Sequence, residues 1–283
     1  MEPIRIEVRR GGVVEAVHRV HAVAVRDGEI VAAAGDPEHV QFLRSSLKPL
    51  QALPLVEAYD DLADEEVAIA SASHRAQPAQ LAAVRVLLAR AGATEDDLEN
   101  GDQEGRPPGR LHHNCSGKHA GMLAACRANG WQMRGYRLPE HPLQRRIAAE
   151  LGRVARARAV DGCGVPTYAT TLRDAAELLL RAPGRVWTAM RARPELVGGD
   201  GASDTELMRA LDGWIAKAGA EGLLCAAGPD GLGVALKCED GNSRAAGPAV
   251  AAFLARLGFP LAALERTPLV SSRGDAVGEI VAV

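Results

Sequence analysis

The chain has 283 residues, 47% of them hydrophobic, and a formal charge of −3, which is long enough and apolar enough to bury a substantial core. No apolar run is long enough to span a bilayer, the arginines are dispersed, and Trp, Tyr and Phe number only three each. These features point away from a membrane-spanning protein and from a nucleic-acid binder, which needs a basic face and stacking platforms. Residues 1–7 alternate charged with apolar side chains and lack the apolar segment of a signal peptide, so a cytoplasmic location is expected. In that reducing setting Cys115, Cys126, Cys163, Cys225 and Cys238 are expected to be free, catalytic or metal-bound rather than disulfide-paired.

In chain order, Ile4, Ile6 and Val8 alternate with charged residues, Arg10-Gly11-Gly12 reads as a turn, and Asp27-Gly28 is a hairpin signal before Ile30. Three antiparallel strands are therefore expected before any long helix. Pro49 restricts the next helix to starting near Ser45, because proline fits only a first turn. Ser45 and Lys48 are then three apart on one face, whereas Ser46 and Lys48 are not. A desolvated amine beside a serine hydroxyl can serve as its base; an N-cap serine with a solvated lysine is the plainer alternative. The run Val67–Ala72 delivers Ser73-His74, and residues 79–93 carry Leu81, Val84, Leu87 and Leu88 at helical spacing.

Residues 111–123 concentrate the chemistry: His112, His113, Cys115, Ser116, Lys118 and His119 stand at the entrance of a helix that Asn129-Gly130 would stop. Gly117 is expected to let the backbone turn so that Cys115 and Lys118 converge. A polar loop capping a core helix is the competing reading. Helices are expected at about 141–155, 170–181 and 247–257, and one capped by Ser203 or Asp204 running to about Ala218. Cys163 lies between two glycines, with Asp161 two residues away. Residues 222–227 and 232–238 form a second hairpin, and 275–283 a closing strand. Strands at both ends with helices between them predict one α+β domain over residues 1–283, with two lobes and an antiparallel sheet completed by the C-terminus.

Taken together, Arg44-Ser-Ser-Leu-Lys-Pro-Leu-Gln51, Ala72-Ser-His74, Asn114-Cys-Ser-Gly-Lys-His-Ala-Gly-Met122, Asp161-Gly-Cys-Gly164 and Gly233-Val-Ala-Leu-Lys237 resemble the rhizobial-type asparaginase II family. The resemblance implies a serine β-lactamase-like and glutaminase-like fold, hydrolysis of L-asparagine to L-aspartate and ammonia, and a homodimer. It implies two Ser–Lys tandems, Ser45 with Lys48 and Ser73 with Lys237, and a zinc ion held by Cys115, Lys118 and Cys163. Cys225 would lie near that metal, and His119, Asp161 and Arg44 would help hold the substrate. The chain departs from the pattern at Arg75-Ala76-Gln77, where a glycine and an acidic residue are expected. It departs again at Cys238, a rival to Cys225. A glutaminase would use the same groups with a longer pocket. A penicillin-recognising acylase would need Lys-Thr-Gly, but Lys237 is followed by Cys238-Glu239. A non-catalytic metal-binding protein would use the cysteines alone.

Overall fold

The computed structural model describes all of residues 1–283. Alternating apolar residues in the first strand and a valine-rich run after it produce the N-terminal meander: β1 (Ile4–Arg10), β2 (Val13–Arg26) and β3 (Glu29–Ala34). Asp27 and Gly28 both adopt positive φ, as a two-residue hairpin turn requires. The first half of β2 pairs with β1 and the second half with β3, while Val20–Val25 pair on the other side with β9 (Gly233–Cys238). Beyond β9 lie β8 (Leu223–Ala227) and β7 (Ile215–Ala218). On the far side β11 (Ala276–Ala282) pairs with β1, and β10 (Arg266–Val270) forms the edge. All pairings in this eight-stranded sheet are antiparallel, and the C-terminus completes it. Pro268 falls in the edge strand, where a missing N–H is tolerated.

Helices between β3 and β7 form the layer that carries the site, and a small second sheet, β4 (Val40–Phe42), β6 (Pro166–Thr171) and β5 (Ala157–Val160), flanks it. A core of 77 buried residues runs through sheet and helices. The helix Ser116–Ala128 packs on the helix Asp64–Ala70 at glycine positions. A Cβ on Gly117 would lie 2.3 Å from the Ile69 carbonyl oxygen, and one on Gly121 would lie 2.9 Å from Ala70 Cβ. Gly117 is therefore an ordinary helical residue kept small by its neighbour, not the flexible turn expected from the sequence.

One element departs from expectation in a way that matters for the site. The helix begun at Ser203 ends at Ala210, and Ile215–Ala218 is strand β7. Gly213, at φ +83°, breaks the helical path, and Trp214 is buried at the head of the strand. No helix is long and apolar enough to cross a membrane.

Candidate active site

The chain enters the site through a strained residue. Arg44 has φ +48°, a conformation costly for a non-glycine residue, and is held there by a hydrogen bond from its backbone N–H to Thr167 Oγ1 at 3.0 Å. A short 3₁₀ turn, Arg44–Leu47, then runs into the helical turn Lys48–Gln51, with Pro49 in its first turn where no hydrogen bond is lost. The two serines separate. Ser46 Oγ donates to the Leu43 carbonyl at 2.7 Å, whereas Ser45 lines a cavity of about 300 Å³. Arg44, Asp161, Gln103, His113, Cys115 and Cys163 share that wall, and Arg44 is ion-paired with Asp161.

Lys48 is wholly buried beneath this wall. Its Nζ donates to the Ala72 carbonyl at 2.6 Å and to Ser73 Oγ at 3.0 Å, with the Asn114 carbonyl at 3.4 Å. Burial lowers its pKa to about 8. The Lys118 and Lys217 charges push the same way, and the Cys115 and Cys163 sulfurs oppose them. Lys48 is thus bonded to Ser73, although the sequence pairs it with Ser45. Lys237 is not Ser73's partner: its Nζ donates to the carbonyls of Glu221 and Cys238, because the register sets it inside the sheet opposite His21 and Leu223.

A second amine that bears on Lys48, besides Lys118, is Lys217, which the sequence reading missed. It lies on β7, which packs against the Ser45 turn, and is fully buried in an ion pair with Asp204 at 3.2 Å. Asp204 also accepts the backbone N–H groups of Thr205 and Ala218, so the charge is well met. Reading residues 211–218 as helix hid the one signal available, a lysine followed by Ala218-Gly219 on an edge strand. Cys225 lies on the neighbouring strand. It stands opposite Lys217 on β8 with its thiol toward Ser46, and burial pushes that thiol up to about 12.

The helix start at Cys115 gathers the remaining donors. Lys118 Nζ donates to Cys163 Sγ at 3.0 Å, and the Cys115 thiol beside it donates to Asn114 Oδ1 at 3.2 Å. Cys115 beside it and the Lys118 charge hold the Cys163 thiol below the usual thiol range, while Cys115 is raised. His119 does not reach the cavity. One position beyond Lys118, it points into the core, where Nδ1 meets Tyr136 Oη at 2.6 Å. Its Nε2 faces Cys163 and is buried without a hydrogen-bond partner of acceptable geometry.

His113 lines the cavity in its place; burial, chiefly, lowers its pKa to about 4. His74, adjacent to Ser73 in sequence, turns away from it. Its Nδ1 accepts the Ala76 N–H at 3.1 Å, so the ring proton is on Nε2, which donates to Ser116 Oγ at 2.8 Å. Ser116 in turn donates to the Leu111 carbonyl at 2.8 Å and is not activated.

His18, Cys238 and Asp240 place three ligand-type atoms within 4.8 Å of one another. Arg244 Nε donates to His18 Nε2 at 2.9 Å, so the proton sits on Nδ1, facing Asp240, where a metal would have to bind. The group is a hydrogen-bonded network. A larger groove of about 640 Å³, lined by Asp27, Glu177, Arg181 and Trp187, shares none of the cavity's residues.

A small polar cavity lined by serine, arginine and carboxylates, with buried amines behind it, marks an enzyme for a small polar substrate. The family model described as L-asparaginase II matches residues 6–282, and the chain belongs to that family, a family of amidohydrolases. No curated protein matches the chain. Among solved structures, a β-lactamase from Mycobacterium bovis is 18% identical, over 79% of this chain and 88% of that one, with a TM-score of 0.35.

Proposed function

We propose that this protein hydrolyses L-asparagine to L-aspartate and ammonia by acyl transfer through Ser45. The observation that carries the reading is Lys48. Its buried amine is partly neutral near physiological pH, bonded to Ser73 at 3.0 Å and one turn from the cavity-lining Ser45. Ser45 Oγ would bond to the amide carbon and give up its proton to the Lys48–Ser73 pair. Backbone N–H groups at the helix start would hold the oxyanion. Collapse would break the C–N bond and the stored proton would leave with ammonia; the pair would then draw a proton from the attacking water and return it to Ser45 Oγ as the acyl ester breaks. In this scheme Lys217, set by Asp204, adds a positive charge that keeps Lys48 deprotonatable, and Lys48 takes the place beside Ser73 that the resemblance assigns to Lys237.

A zinc ion is part of the proposal. Two sulfurs and an amine converge at Cys163, and the buried His119 Nε2 lacks a partner, a donor set that suits a borderline-soft divalent cation. Cys115, Lys118 and Cys163 would hold it. When bound it supplies a fixed positive charge beside the cavity and keeps Lys118 deprotonated. The working unit is proposed to be a homodimer.

Ammonia release by purified protein from L-asparagine and from L-glutamine tests the reading. Turnover of asparagine, lost in Ser45→Ala, is expected. Release from neither amide would overturn it, and a preference for glutamine would make it a glutaminase. Metal analysis should find about one zinc per chain, absent from Cys115→Ser and Cys163→Ser, and stripping it should raise KM more than it lowers kcat.

A further inference from the structure

His113 lines the cavity without a part in the chemistry above. His113 is 7% exposed, and its Nδ1 accepts the backbone N–H of Cys115 at 3.0 Å. That bond needs the Nδ1 lone pair, so the proton of the neutral ring is on Nε2. Nε2 has no hydrogen-bond partner in the protein, yet it is not among the polar atoms sealed from solvent. The ring is therefore a nine-tenths-buried N–H donor, locked in one tautomer by the backbone and open only to the cavity it lines. Gln103, less buried, adds to this wall: its Oε1 accepts the Asn114 N–H at 2.7 Å, leaving its amide N–H₂ there.

A small amino-acid amide brings two acceptor groups and one cation into this cavity. Asp102, Glu104 and Asp161 line it and suit the α-ammonium. The amide carbonyl has to sit at Ser45, beside the backbone N–H groups of the helix start. The α-carboxylate is the acceptor left over; Arg44, whose Nε is on Asp161, keeps its Nη donors for one oxygen, and His113 Nε2–H stands on the same wall for the other. We propose that His113 Nε2–H donates to the α-carboxylate of the substrate and so selects α-amino-acid amides over amides that lack this group; the inference rests on the amide-hydrolase reading above. A fixed neutral donor meets the carboxylate with little reorganisation, since its ring is already held in place.

The test compares two amides, L-asparagine and 3-aminopropanamide, which keeps the amide and the amine but has no α-carboxylate. Asn at this position can keep an acceptor for the Cys115 N–H while falling short of Nε2; Gln can carry an N–H to about the Nε2 position. His113→Asn should melt within a few degrees of wild type. On asparagine it should lose about ten- to a hundredfold in kcat/KM, mostly through KM, the size expected for a hydrogen bond to a charged group. On 3-aminopropanamide it should lose nothing further, and His113→Gln should recover part of the loss. Equal loss on both amides, no loss on asparagine, or a wild-type enzyme indifferent to the α-carboxylate would each overturn the assignment while leaving the amide-hydrolase reading intact. A wild-type enzyme inactive on both would remove that reading and this inference with it.

Discussion

A lysine amine with no access to water loses its hydration and keeps only what its neighbours return. Lys48 receives two carbonyls and a serine hydroxyl, which does not offset the burial, and its pKa falls from 10.5 to about 8. Since the neutral amine is the base, kcat/KM should climb as pH rises through about 8 and level off above it; a rate already flat between pH 6 and 10 would contradict a lysine base. The same shift acts on stability. The folded-state value lies below the unfolded one, so between about pH 8 and 10.5 the unfolded chain keeps a proton that the folded one has released, and this group's contribution rises with pH across that window. The Ser45 hydroxyl makes no hydrogen bond within the protein, so the residue should be replaceable by alanine with under about 0.5 kcal/mol of destabilisation and complete loss of turnover. Ser46→Ala loses a buried bond to Leu43 and should cost about 1 kcal/mol while most activity survives. Equal activity loss at the two positions, measured by ammonia release and urea midpoints, would break the distinction between them.

At the scale of elements, the site depends on how closely two helices approach. The helix Asp64–Ala70 ends just before Ser73, and the helix Ser116–Ala128 begins at the cysteine pair; Gly117 sets the distance between them. A methyl at Gly117 would press on the Ile69 backbone, which cannot yield as a side-chain end can. Gly117→Ala should therefore cost about 1–3 kcal/mol by overpacking and also reduce turnover, as Ser73 and Lys118 are moved apart. A variant as stable and active as wild type would show that the helices have slack. Strand β7 carries a second test. Removing one partner of the Asp204–Lys217 pair strands a buried charge, so Asp204→Asn and Lys217→Met should each cost about 3–5 kcal/mol, and the double variant less than their sum. These elements differ in how far they could be read beforehand. Ser45, Lys48, Cys115 and Lys118 are local arrangements within single helical turns, and side-chain spacing along a turn is visible in sequence. The Lys48–Ser73 bond, the place of Lys217 and the cavity position of His113 rest on contacts between distant segments, which spacing does not encode.

The molecule as a whole is a sheet whose first and last strands are neighbours. That closure was legible in part: β1 alternates Ile4, Ile6 and Val8 with charged residues, whereas β2 is buried on both faces from Val20 to Val25 and β11 buries only Ile280 and Val281. The second sheet was not: β4 has three residues, and β6 is buried along its whole length, so neither shows a period of two. The closure has a mechanical consequence. β11 lies between β1 and β10, and Ile280, opposite Val8, is 2% exposed and packs into the same core as Ile4 and Ile6. The C-terminal strand is thus expected to fold with the sheet it completes and not as a later addition. Ile280→Ala should cost about 2–5 kcal/mol, the range for deleting a buried branched side chain, because both neighbouring strands limit how far the cavity can collapse. In urea the loss should appear as a lower midpoint of one transition, with the slope unchanged and with ammonia release and circular dichroism lost together. A separate early transition that removes β10 and β11 while activity persists would show that the helical layer and the remaining strands hold the site without the closing strand.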